Sequence, residues 1–189
     1  MRNALLLVAI GLAAAVGCDT KTSVKTIHTS AIGAPAATRP AASGQDLTEW
    51  SKERTEAAAK KLSELAYYVT QKDGTERAGT SELLNIKKPG VYVCAVCELP
   101  LFASETKFDS GTGWPSFYQP INEDYVLDVE DNSLGMTRTE NECARCRSHL
   151  GHVFTDGPEP TGLRYCMNGV SLKFIPDAAG NQPTTQPAD

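Results

Sequence analysis

The chain has 189 residues, with 18 Lys and Arg against 23 Asp and Glu, three His, six Cys and 41% apolar residues. That length and apolar share suit one domain with its own core. The net charge of −5, with no cluster of Lys and Arg interleaved with aromatics, excludes a surface that tracks nucleic-acid phosphates.

The N-terminal stretch MRNALLLVAIGLAAAVGC holds one early cation, Arg2, an apolar run from Ala4 to Val16 and small residues before Cys18. This is the pattern of a secretory leader over residues 1–17, and the run is too short to span a bilayer as a mature helix. Ala15-Val16-Gly17-Cys18 resembles the bacterial lipobox, in which leader cleavage exposes a cysteine that takes lipid. The alternative is an ordinary leader cut nearby, leaving Cys18 a free thiol. Asp19, by resemblance to enterobacterial lipoproteins, would favour the inner membrane. Loss of residues 1–17 leaves 17 basic against 23 acidic residues, a net charge of −6. The expected location is the periplasm or cell envelope, with a lipid anchor as the only membrane attachment. Exported thiols meet oxidising conditions, so unprotected cysteines there tend to pair.

From residue 18 to 44 the chain is rich in Thr, Ser, Ala and Pro and nearly without large apolar side chains. Such a segment cannot bury enough surface to offset its ordering entropy and reads as a disordered tether, with His28 solvated in it. The segment 176–189, PDAAGNQPTTQPAD, reads the same way. Between them lies a domain over 45–175. Thr48 to Leu65 is expected to be one helix capped by Thr48, with Trp50, Ala58, Leu62 and Leu65 on one face, covering the core. After Gly74 the pattern becomes short alternating runs broken by Gly, Pro, Asp and Asn. Gly90 to Cys94, Asp124 to Val129, Gly135 to Thr139, Leu163 to Cys166 and Val170 to Phe174 are the expected strands. No repeated βα units occur, so the class is mainly antiparallel β with an N-terminal helical cover.

Two Cys-x-x-Cys pairs, Cys94/Cys97 and Cys143/Cys146, are separated by 45 residues. A two-residue gap lets one turn aim both sulfurs at a single ion, and two turns complete a tetrahedron. All four positions are then protein, which makes one structural zinc rather than a catalytic one; two Cys-x-x-Cys disulfides are the alternative. Cys166 is left over. Arg164, two positions earlier, lies on the same side of a strand, and His149 and His152 are the remaining histidines of the domain. Cationic and hydrogen-bonding neighbours favour a thiolate, the nucleophilic form. By itself a strand cysteine is more often a small buried hydrophobe, and the two histidines could be core residues or metal ligands.

The strings SGTGWPSF (Ser110 to Phe117), HLGHVF (His149 to Phe154), GPEPTGLRYCMN (Gly157 to Asn168) and SLKF, with both cysteine pairs, resemble the B-type methionine sulfoxide reductases, which reduce the R epimer of methionine sulfoxide. The resemblance spans about Tyr67 to Phe174. It implies a tent-like, Mss4-like pair of coiled antiparallel sheets with zinc at one end. It also implies that Cys166 attacks the sulfoxide sulfur and becomes a sulfenic acid. His152 would protonate the sulfoxide oxygen, with His149 close by, and Asn168 would orient substrate and water. Trp114 would wall the ε-methyl group with Phe154 beside it, core packing being the alternative for either ring; Arg164 and Asp156 would support the thiolate and the histidines. The implied partners are methionine-R-sulfoxide in oxidised proteins and a thioredoxin-like reductant, acting on a monomer.

Many members of that family carry a cysteine in the middle of the SGxGWPSF string to capture the sulfenic acid; this chain has Thr112 there. Recycling would then fall to an external thiol, to a zinc cysteine, or to Cys18 if it is not lipidated. A non-catalytic zinc-binding module on the same scaffold, or a thiol enzyme handling formaldehyde adducts, are the competing classes.

Overall fold

The computed structural model describes residues 45–177. The leader, the tether with Cys18 and His28, and the tail beyond Asp177 lie outside the described residues.

The helical cover is two short helices rather than one. α1 spans Lys52–Ala59 and α2 spans Glu64–Gln71. Each has its own serine cap: Ser51 Oγ accepts from the Arg54 N–H (3.3 Å) and Ser63 Oγ from the Ala66 N–H (3.2 Å). A side-chain acceptor at the first turn supplies one of the donors that a helix start leaves unmet, so Ser63 begins a new helix where continuous periodicity predicts an uninterrupted one. Thr48 is not the cap. Trp50 precedes α1, where its N–H donates to the Arg145 carbonyl (2.8 Å) and its ring lies under the Arg54 guanidinium.

Among the described residues nine strands follow: β1 Gly90–Cys94, β2 Pro100–Ala103, β3 Lys107–Phe108, β4 Ser116–Phe117, β5 Val126–Asp131, β6 Arg138–Cys143, β7 His149–Phe154, β8 Arg164–Met167 and β9 Leu172–Pro176. They form two antiparallel sheets, ordered β2-β1-β9 and β3-β4-β8-β7-β6-β5. The mainly antiparallel β class expected from the pattern, and the pair of sheets implied by the resemblance, are what is observed. β1 matches its expected span, whereas β5, β6, β8 and β9 start one to three residues later than the alternation predicts. β9 runs through Pro176 and the Asp177 N–H donates to the Pro89 carbonyl, so the ordered domain passes the expected boundary at residue 175.

Between the sheets lies an aromatic seam. Phe102 stacks on Phe117 at 4.4 Å between centroids, and Tyr92 meets Phe117 edge-on at 4.9 Å, tying β1 and β2 to β4. Tyr165 and Met167 are buried in the same core. Alternation along β8 therefore turns Arg164 and Cys166 to the opposite face.

β7 and β8 come unusually close. A Cβ added at Gly151 would sit 2.1 Å from the Cys166 carbonyl oxygen and 2.9 Å from Met167 Cα. Only glycine fits without parting the strands. Gly151→Ala is expected to destabilise the domain by about 2–4 kcal/mol, measured by denaturant unfolding; a loss under about 0.5 kcal/mol would mean that the strands part at little cost.

Candidate active site and metal centre

Residues directly opposite one another on antiparallel strands share a face. Glu140 on β6 faces His152 on β7, His152 faces Cys166 on β8, and Cys166 faces Ser116 on β4. Four adjacent strands thus line up a carboxylate, an imidazole, a thiol and a hydroxyl. The next row on the same face holds Phe154 opposite Arg164.

His149 would face away from His152 in a regular strand, because the two lie three positions apart and the period is two. It does not, because the ladder slips. Glu142 faces His149 while Asn141 faces Gly151, so Leu150 is an extra residue in β7. This bulge restores His149 to the face of His152, with ring centroids 5.5 Å apart.

Each histidine has its own carboxylate. The carboxylate of Glu140 is 2.7 Å from His149 Nδ1 in a buried pair. Asn168 sets the other nitrogen: its Oδ1 accepts from the Glu76 N–H (3.0 Å), so its amide nitrogen turns to His149 Nε2 (3.4 Å) and the Leu150 carbonyl (3.2 Å). An amide N–H can only donate. Nε2 of His149 is then the acceptor, and Nδ1–H donates to Glu140.

His152 is wired the other way. Its Nε2–H donates to Asp131 Oδ2 (2.9 Å), which also accepts from Arg138 Nη2 (2.6 Å). Burial would raise the Asp131 pKa, but hydrogen bonds from Ser133, His152 and Arg138 outweigh it and hold the carboxyl well below the usual carboxylate range. Burial lowers the His152 pKa below the ordinary imidazole value, and Asp131 opposes that shift. Nδ1 is the nitrogen of His152 not committed to Asp131.

Arg164 makes a two-pronged pair with Asp156 (2.8 and 2.9 Å), and its guanidinium lies 4.3 Å over the Phe154 ring. Asp156 first, and Cys166 too, favour the charged guanidinium against burial. The indole Nε1–H of Trp114 donates to the Glu76 carbonyl (3.1 Å). Glu76 itself is 2% exposed, and its carboxylate accepts the N–H groups of Gly169 and Val170 just after Cys166. One loop residue therefore holds Trp114, Asn168 and the turn behind the thiol.

The structure gathers Cys166, His152, His149, Asn168, Trp114, Phe154, Arg164 and Asp156 into one neighbourhood. Glu76, Asp131, Arg138 and Glu140 are its supports and were not singled out from the sequence. Charged residues at alternate positions of β6, Arg138, Glu140 and Glu142, are the pattern that marks two of them. Glu76 lies in a loop with no such mark.

At the far end of the sheets the four remaining described cysteines meet. Sγ of Cys94 is 3.6 Å from that of Cys146, and Sγ of Cys97 is 3.4 Å from that of Cys143. All four sulfurs lie within 4.8 Å of one another, buried and without disulfides. A tetrahedron with bonds of ~2.3 Å spaces sulfurs ~3.8 Å apart, so the set fits zinc. The two turns repeat one geometry. The Glu98 N–H donates to the Cys94 carbonyl (2.9 Å) and the Arg147 N–H to the Cys143 carbonyl (2.8 Å). Glu98 and Arg147 both take the left-handed conformation, at φ 60° and 59°.

Residues 62–176 match the SelR domain model. The chain belongs to the SelR domain family, the B-type methionine-R-sulfoxide reductases. Family membership supports reduction of methionine-R-sulfoxide with a thiol reductant, and the SelR family binds zinc. In this SelR domain the zinc ligands would be Cys94, Cys97, Cys143 and Cys146. They leave no position for a metal-bound water, so a metal there would staple the scaffold and not the reaction.

The purified chain is expected to carry one zinc, read by elemental analysis. Chelation should lower the melting temperature by on the order of 10 °C, where 1 kcal/mol is worth about 4 °C in a domain of this size. An unchanged melting temperature without metal would remove the structural role.

Proposed function

We propose that Cys166 reduces methionine-R-sulfoxide, in proteins or peptides, through its own sulfenic acid. The observation that carries this is the register of β7 and β8, which sets His152 opposite Cys166 on one face. The Cys166 thiolate attacks the sulfoxide sulfur, and His152 Nδ1–H gives its proton to the sulfoxide oxygen. That oxygen ends on Cys166 as S–OH, and methionine leaves as the thioether. One proton is consumed, and the sulfoxide is reduced by two electrons as the cysteine is oxidised. Asp131 favours the imidazolium that must form, and the Arg164 guanidinium stands on the same face of β8 as Cys166. Asn168 orients substrate and water, and Trp114 walls the methyl group.

Return to the thiol takes two external thiols, which leave as a disulfide with one water. Thr112 is the neighbour of Cys166 Sγ where a resolving cysteine would stand, and a hydroxyl cannot close a disulfide. A thioredoxin-like reductant is therefore the partner. The leader pattern at 1–17 and the lipobox-like Cys18 support repair of oxidised proteins in the cell envelope by a lipid-anchored enzyme.

The chain, given dithiothreitol, should consume the R epimer and spare the S epimer, and Cys166→Ser should be inactive. A dimedone-type probe after one turnover should label Cys166; wild-type protein that reduces neither epimer, or Cys166→Ser matching it, sinks the reading.

The acid step adds a pH dependence. Protonated His152 is lost as pH rises through a pKa lying below the ordinary imidazole value, so kcat should fall on that alkaline limb. Asp131→Asn removes the group that raises the His152 pKa, so the limb should move to lower pH, with kcat at neutral pH down about 10- to 100-fold. A limb that stays in place would take proton donation away from His152.

A further inference from the structure

A chain of hydroxyls ends on the reactive sulfur. Thr112 Oγ1 lies 3.8 Å from Cys166 Sγ, within hydrogen-bond reach for sulfur. Ser110 Oγ lies 2.8 Å from Thr112 Oγ1 and 2.7 Å from Ser116 Oγ, and Ser116 Oγ lies 3.2 Å from the Trp114 carbonyl. Ser116 is fully buried, so no solvent competes for its proton.

Each hydroxyl has one proton to give, so the chain has two self-consistent directions. With a Cys166 thiol, S–H donates to Thr112, Thr112 to Ser110, Ser110 to Ser116, and Ser116 to the Trp114 carbonyl. With a thiolate, which can only accept, the three bonds among the side chains run the other way, Ser116 to Ser110, Ser110 to Thr112, and Thr112 to the sulfur, and Ser116 gives up its bond to the Trp114 carbonyl. The Thr112 N–H, 3.4 Å from Ser110 Oγ, donates in both. Passing between them requires three hydroxyl rotations and no proton exchange among the oxygens. The only proton lost is that of the thiol.

We propose that Thr112 is a catalytic residue that donates its hydroxyl hydrogen to the Cys166 thiolate, with Ser110 and Ser116 as positioning residues that hold it in that direction. A hydrogen bond to an ionised acceptor is about twice as strong as one between neutral groups, so the chain stabilises the nucleophilic form selectively. This rests on Cys166 as the nucleophile and gives Thr112 a task in the attack itself, besides its inability to resolve the sulfenic acid.

The test is alkylation of the full chain by iodoacetamide across pH, quantified on the Cys166 peptide by mass spectrometry. It needs no sulfoxide, so it is decided independently of reductase activity. Thr112→Val keeps the shape and removes the hydroxyl. Its Cys166 should alkylate about tenfold more slowly at neutral pH, with the profile displaced to higher pH. Thr112→Ser should keep the wild-type profile, and Ser110→Ala should be displaced in the same direction by less. A Thr112→Val profile that superimposes on wild type, or a Thr112→Ser profile displaced as far as Thr112→Val, overturns the proposal.

Discussion

The pairing of β7 with β8 in a single register is the constraint on which the site depends. A slip of one residue would send every side chain of a strand to the other face. Cys166 would then enter the core, and Tyr165 and Met167 would leave it. Burial of those two side chains, each worth on the order of 2 kcal/mol, is thus also what exposes the thiol to His152. Gly151 permits the close approach, and the extra residue at Leu150 brings His149 round. Folding and chemistry share one ladder of hydrogen bonds.

The cysteine tetrad protects that ladder from a distance. Cys94/Cys97 form the turn that joins β1 to β2, and Cys143/Cys146 form the turn that joins β6 to β7. The two turns belong to different sheets, so an ion among the four sulfurs would tie one sheet to the other at the end where β7 begins. Arg145 adds to the same junction: it donates to the Cys97 carbonyl (3.1 Å) and to the Asp46 carbonyl (2.7 Å). Thr55 of α1 donates to the Cys146 carbonyl (3.2 Å), so the helical cover rests on the knuckle it hides. Closing a loop of this length costs the unfolded chain entropy that the ion offsets only in the folded state.

What could be read from residues alone follows from the range of the interactions. Cys-x-x-Cys turns are local, and both knuckles were legible from spacing. Alternation is local too, so β1 and the β class were legible, while β3 and β4, two residues each, are too short to show a period. The helix break was missed because an apolar face continues past Ser63 even as its side chain caps a new start. Cys166 and the histidines were named from motifs, yet the place of His149 on the face of the other two depends on a bulge that no alternation shows. Glu76 is the plainest case. Its carboxylate, N–H and carbonyl each hold a different part of the site across some 38 to 94 residues of chain, and none of those bonds leaves a trace in its neighbours.

The supports also divide the work between two similar imidazoles. Asn168, oriented by Glu76, donates to Nε2 of His149 and leaves it no proton there to give. Asp131 takes Nε2–H of His152 and leaves Nδ1 uncommitted to that carboxylate. Burial lowers the His152 pKa, which works against the imidazolium that the proposed proton transfer needs. The opposite strand resolves this, because a thiolate at Cys166 is a second negative charge facing the ring. Thiolate with imidazolium and thiol with neutral imidazole hold the same number of protons, and moving between them leaves net charge unchanged. Asp131 stabilises the imidazolium half of the charged arrangement, and Arg164 is a fixed positive charge on the face of β8 that carries Cys166.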